Sequence, residues 1–273
     1  MKTLHRPCAV CGLFYPGRAD ELTRQLEELF ARVEPRELTG KVLGIIAPHA
    51  GYQFSGLTAA HAYSLLRNVS FRAVVIVSPS HREYFKGTSV YPGDSYSTPL
   101  GNVLIDTELR KDLLANCAKV EASPSGHGSE HAIEVQLPFL QHVLGEFKLL
   151  PVVVGDQGRE NCFALGEALA RVTREDILLV ASTDLSHYHT AEVADRLDKV
   201  VVEDVRRFDY EGLMNNLETE KTEACGGGPT VAVMMALHQR GVRNMEILHH
   251  CNSGDVTGER NAVVGYLSAA AYA

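Results

Sequence analysis

Three apolar runs in this sequence each lead into a histidine. Residues 41–47 (KVLGIIA) are followed by Pro48-His49-Ala50-Gly51-Tyr52. Residues 73–77 (AVVIV) are followed by Ser78-Pro79-Ser80-His81. The run ILLVAS is followed by Thr183-Asp184-Leu185-Ser186-His187. Imidazole titrates near neutrality and is the commonest metal ligand, so three such histidines could form a metal centre or supply an acid/base group. Alone, a strand-end histidine usually just satisfies a structural hydrogen bond. Three at the ends of separate strands point to one shared site, with Asp184 as a further anionic donor.

Two more segments carry chemistry. In Ser129-Glu130-His131-Ala132-Ile133-Glu134, His131 and Glu134 are three apart and would share a helix face if the helix has begun. The plainer reading is a helix start whose acids complement the dipole. In Glu223-Ala224-Cys225-Gly226-Gly227-Gly228-Pro229, Cys225 stands before a glycine run and a helix start, where backbone N–H groups lower a thiol's pKa; the plainer reading is a turn with an inert cysteine. Cys8 and Cys11 form a C-x-x-C pair without a second pair at zinc spacing, and read as a small apolar or loosely reactive pair. Cys117 and Cys162 read as core residues. His249-His250-Cys251 is a weak metal candidate that reads better as surface or strand edge, and His189 is expected to point elsewhere.

The elements that must hold these groups are legible as alternation. Residues 20–33 carry apolar side chains at helical spacing, with Asp20 as a cap. Helices are also expected at 56–66, 135–144, 160–172, 192–208 and 229–239. Buried strands are expected at 41–47, 73–77, 149–154, 177–181 and 262–267. The stretch 87–106, rich in Tyr, Thr, Ser and Gly, could add antiparallel strands. Apolar strands alternating with amphipathic helices imply an α/β fold, a mixed sheet covered on both faces. Ligands in such folds sit beyond the carboxyl ends of the strands, where the histidines are.

The chain has 273 residues, twelve histidines, no tryptophan and a net charge of −8. It is long enough for one large core, and the absence of linkers or repeats favours a single domain over residues 1–273. The negative charge disfavours a nucleic-acid partner, and no apolar run is long enough to span a bilayer. The stretch Met1-Lys2-Thr3-Leu4-His5-Arg6-Pro7 lacks a signal peptide's apolar core. The expectation is therefore a cytoplasmic protein with mostly reduced cysteines.

Taken in order, Gly12-Leu13-Phe14-Tyr15-Pro16-Gly17, Pro48-His49-Ala50-Gly51-Tyr52, Pro79-Ser80-His81, Glu130-His131-Ala132-Ile133-Glu134, Ser182-Thr183-Asp184-Leu185-Ser186-His187 and Cys225-Gly226-Gly227-Gly228-Pro229 resemble the Memo-like family, called AmmeMemoRadiSam system protein B in bacteria and archaea. The likeness runs from about residue 11 to the C-terminus. It implies a single α/β domain similar to the class III extradiol dioxygenases of the LigB type. It also implies a metal pocket of His49, His81 and Cys225, with Asp184 and His187 from the Ser/Asp/His segment and His131 and Glu134 as neighbours. Iron or copper is the implied metal, with zinc also open. Position 186 is Ser where animal members usually carry Cys, and the loop after Cys225 differs from theirs, so their phosphopeptide-binding role transfers poorly.

The expected function is a metal-dependent redox or oxygen-processing enzyme acting on an unidentified small molecule. Its metal ligands would be His49, His81, Cys225 and Asp184, and its catalytic groups His187, His131 and Glu134. The alternatives are a non-catalytic metal-binding protein partnering radical-SAM or AMMECR-type proteins, and a peptide-binding module.

Overall fold

Residues 4–273 are described by a computed structural model; the stretch read above for a leader begins with residues 1–3, outside that range. In chain order the elements are β1 (His5–Arg6), α1 (Ala19–Ala31), β2 (Val42–Ala47), α2 (Tyr52–Ser64), β3 (Ala73–Pro79), β4 (Thr88–Val90), β5 (Ser95–Thr98), β6 (Gly101–Leu104), α3 (Thr107–Asn116), β7 (Val120–Ala122), a 3-10 turn (Glu134–Gln136), α4 (Leu137–Leu144), β8 (Lys148–Val154), α5 (Arg159–Val172), β9 (Ile177–Ser182), β10 (His187–His189), α6 (Ala191–Arg206), α7 (Tyr210–Glu218), α8 (Gly227–Gln239), β11 (Asn244–Asn252), α9 (Ser253–Thr257) and β12 (Val263–Tyr272).

Every residue of β2, β3 and β9 is buried. A strand achieves this only with both faces covered, because successive side chains point to opposite sides. In β9, Ile177, Leu179 and Ala181 join a core with α5 and α8, while Leu178 and Val180 join a second core with α1, α2 and α4. The nine-stranded sheet runs β10-β12-β2-β9-β3-β8-β4-β7, with β11 also paired to β12. Its centre, β2-β9-β3-β8, is parallel, whereas β12 and β4 pair antiparallel to their central neighbours. The fold is thus α/β with a mixed sheet flanked by helices. A small sheet, β1-β5-β6, lies apart.

Asp20 lies inside the first turn of α1, not at its cap, which is Arg18; there its carboxylate still complements the helix dipole. The strand expected at 262–267 extends to Tyr272, and α3, α7 and β11 are additions to the expected set.

The small sheet is tied to the main one by a buried network. Ser89 gives its hydroxyl hydrogen to the Ser125 carbonyl (2.6 Å), so its oxygen accepts from His127 Nε2 (3.1 Å), leaving His127 Nδ1 to accept the Tyr96 hydroxyl (2.5 Å). Burial first, then the nearby Arg6 guanidinium, pushes His127 down to about 3. Its ordinary value is near 6.5, so as pH falls below 6.5 the unfolded chain takes up a proton that the folded chain refuses. Stability therefore declines between pH 6.5 and about 3, by an amount on the order of a few kcal/mol. Urea midpoints at pH 7 and pH 4 should converge in His127→Gln relative to the unaltered protein. An equal pH dependence in both would refute the assignment.

Candidate metal centre

β2, β9 and β3 are sheet neighbours, and each presents a polar side chain two residues past its end: His49 after Ala47, Asp184 after Ser182 and His81 after Pro79. Pro48 stops β2, and proline's missing N–H ends ladder pairing. Cys225 lies two residues before α8. Gly226 lets that helix approach β9: a Cβ at 226 would collide with the Ser182 carbonyl, and the Gly226 N–H donates to Thr183 Oγ1 at 3.0 Å. Three ligand atoms, one each from His49, His81 and Cys225, lie within 4.8 Å of one another.

Hydrogen bonds set which ring nitrogens face the site. Ser182 Oγ donates to the Ala132 carbonyl (2.7 Å) and accepts from Gln136 Nε2 (2.8 Å), so it can only accept from His49 Nδ1 (2.9 Å). His49 is therefore protonated on Nδ1, and its Nε2 lone pair points at Cys225 Sγ, 3.0 Å away. The His49 N–H donates to Asp184 Oδ1 at 2.7 Å. His81 is gripped twice by Glu130, through its backbone N–H (2.6 Å) and Nδ1 (2.9 Å), which again leaves Nε2 free. Imidazoles bound to acceptors through one nitrogen are oriented to ligate metal through the other.

Burial is the first cause of the shifts at this cluster. Burial, then His81, pushes His49 well below the ordinary histidine range. Burial, then His49, brings His131 down to about 4. Burial works to raise Glu130, but the His81 bonds outweigh it and hold the carboxyl at about 2. Burial, then Asp184, pushes the Cys225 thiol up. With His49 protonated on Nδ1, the Cys225 thiol donates to His49 Nε2; a cation held there would replace that hydrogen. Two imidazole nitrogens and one sulfur fit a late first-row divalent ion or copper(I).

The remaining expected residues divide. Asp184, raised by burial, anchors the His49 backbone and borders the same cavity, but is outside the three-atom cluster. His187 also borders the cavity, its Nδ1 donating to the Leu185 carbonyl (2.8 Å) and its backbone N–H to Glu223 (2.9 Å). The His131 ring stacks 4.8 Å from His81 and stands edge-on 5.5 Å from His49.

Glu134 is corrected. It is fully buried, paired with Arg6, and accepts from Ala9 N (2.7 Å), Val10 N (3.0 Å) and the Tyr15 hydroxyl (2.6 Å). It fastens the N-terminal segment instead of facing the cavity. No helix has begun at His131: the 3-10 turn starts at Glu134, so the three-residue spacing does not bring the two together on one face. The residue overlooked in sequence is Glu130, whose signal was only its place beside His131.

The cavity has a volume of about 670 Å³ and is also lined by Phe14, Phe54, Tyr188 and Tyr266. His189 pairs with Glu223 at the exposed edge. His249 and Cys251 lie on β11 against Thr58, apart from the cluster. Cys117 and Cys162 are core residues. Cys8 and Cys11, expected to be reduced, are joined in a disulfide.

A family model described as "Memo-like protein" matches residues 6–270. The chain is 36% identical over 264 residues to a MEMO1 family protein of Thermoplasma volcanium, covering 96% of this chain and 97% of that one. It is 40% identical over 265 residues to a MEMO1 family protein of Methanosarcina mazei, with 96% and 97% covered. Among solved structures, it resembles an uncharacterized protein from Escherichia coli K12 with a TM-score of 0.49 and 17% identity, covering 84% of this chain and 99% of that one.

Proposed function

This chain belongs to the Memo-like protein family, and from that premise we propose that it is a metal-dependent redox or oxygen-processing enzyme. The observation that supports this most directly is the convergence of His49, His81 and Cys225, with Nδ1 of both histidines held by acceptors. Iron or copper held there by His49, His81 and Cys225 would supply a redox-active Lewis acid.

The chain's own groups do the rest. His187 commits its Nδ1 hydrogen to the Leu185 carbonyl, so Nε2 is the atom that accepts or returns a proton in the cavity. His131, neutral above about pH 4, donates or accepts a hydrogen bond to orient substrate. Asp184 is a fourth ligand or a hydrogen-bond partner at the site's edge. Phe14, Phe54 and Tyr266 exclude water around an unidentified small molecule.

A second reading rests on the cavity lip, where Leu13 and Tyr188 are 76% and 78% exposed. Apolar side chains so exposed favour a protein seated over the site, as in metal-binding without turnover beside a radical-SAM or AMMECR-type partner. Anaerobic purification followed by elemental analysis, then turnover of catechol-like and thiol substrates, tests the first reading. Iron or copper near one per chain is expected, and His187→Ala should keep the metal and lose turnover. Metal without turnover of either substrate class favours the second reading; absence of iron and copper overturns the first.

A further inference from the structure

The Cys8–Cys11 disulfide takes no part in the metal centre, yet it closes the turn that forms one cavity wall. Both cysteines are half-buried, within reach of a small reagent. Disulfides that are exposed, and C-x-x-C pairs in particular, exchange with external thiols more readily than buried ones. The two residues between them, Ala9 and Val10, give their N–H groups to Glu134. That grip is independent of the S–S bond and holds the two residues between the sulfurs after reduction, but it does not hold Cys11 or the turn beyond it.

Beyond Cys11 the chain reverses at Gly12, whose φ of +79° is a left-handed conformation that suits glycine. The Leu13 and Phe14 N–H groups both donate to the Val10 carbonyl (3.0 and 2.9 Å). The Phe14 carbonyl accepts the Tyr52 N–H (2.8 Å), three residues after His49, and the Phe14 ring lies 4.9 Å from that of His131. A covalent bond at one end of this turn is thus linked to His131 by the Phe14 ring contact and to the segment that follows His49 by the Phe14–Tyr52 hydrogen bond.

We propose that Cys8–Cys11 is a thiol–disulfide exchange site that accepts electrons from a dithiol, and that its state sets how firmly Phe14 is held against His131. A dithiol thiolate attacks one sulfur, forming a mixed disulfide and releasing the other cysteine as thiolate. The second thiolate of the reagent then displaces the first cysteine. One S–S bond breaks in the protein and one forms in the reagent; two electrons pass to the cysteine pair, and two protons leave both as thiols. Reduction leaves Ala9 and Val10 docked on Glu134 and loosens Leu13 and Phe14. The inference does not depend on which metal, if any, the histidines hold.

The experiment uses the full chain purified under air and dithiothreitol as the probe. Alkylation followed by mass analysis should find Cys8 and Cys11 protected before reduction and labelled after brief native reduction, with buried Cys117 and Cys162 unlabelled. Hydrogen exchange at the Leu13, Phe14 and Tyr52 amides should then rise by on the order of ten-fold, while Ala9 and Val10 stay protected. Labelling of either cysteine before reduction, or a disulfide that resists dithiothreitol in the folded protein, overturns the exchange site. Unchanged exchange at all five amides, or equal loss at all five, overturns the coupling and leaves a simple staple. Cys8→Ser, which frees Cys11 without any reagent, should reproduce the exchange pattern of the reduced protein.

Discussion

His49→Ala combined with His81→Ala should purify with iron and copper at background, against near one ion per chain in the unaltered protein. The effect is large because each substitution removes a ligand nitrogen whose lone pair the fold has already aimed. Losing even an orienting partner of a ligand commonly costs 10–100-fold in affinity, so loss of two ligands should exceed any practical metal concentration. His49 is almost wholly buried and its removal leaves a small gap, whereas His81 is partly open to solvent. His81→Ala alone therefore serves as the second variant, expected to fold normally and lose most of its metal. Elemental analysis with circular dichroism on both proteins decides the matter. Full metal content in the folded double variant would remove these histidines from the site.

The second large effect is on stability. Glu134→Ala should destabilise the protein by about 3–5 kcal/mol, because it strands the Arg6 guanidinium as a buried, uncompensated charge. It also orphans the Ala9 and Val10 N–H groups and the Tyr15 hydroxyl. Replacing both members of the pair, as in Arg6→Met with Glu134→Leu, should recover a good part of the loss, since well-packed apolar pairs often replace buried ion pairs at little cost. Urea unfolding of the three proteins supplies the comparison. A loss below about 1 kcal/mol for Glu134→Ala would mean that the carboxylate is a surface-type partner, in conflict with its complete burial.

What could be read from the residues alone follows a physical pattern. β2, β3 and β9 were legible because burial on both faces demands an uninterrupted apolar run, and Pro48 and Pro79 mark the ends of β2 and β3. His49, His81 and Asp184 stand out for the same reason, as the first titratable side chains beyond those runs. Cys225 needed the family likeness, since a cysteine before glycines is by itself an ordinary turn. Glu130 was passed over because it lies in an irregular stretch, where spacing carries no directional meaning; helical logic favoured Glu134, which turns the other way. β11 was missed because its half-buried residues mix Met, Ile and Leu with His, Glu and Asn in no clean alternation. The joined state of Cys8 and Cys11 was missed because the expectation rested on compartment, not on the turn that brings the two sulfurs together.

The candidate ligands are far apart along the chain: His49 and Cys225 are separated by 176 positions. An ion held by both would act as a removable cross-link that closes most of the polypeptide into one loop. An ion that prefers the folded protein would then raise the melting temperature with the logarithm of its free concentration once that exceeds Kd, and a chelator would lower it. The same geometry makes the site depend on an intact chain, since neither the first half nor the second carries the ligands to assemble it alone.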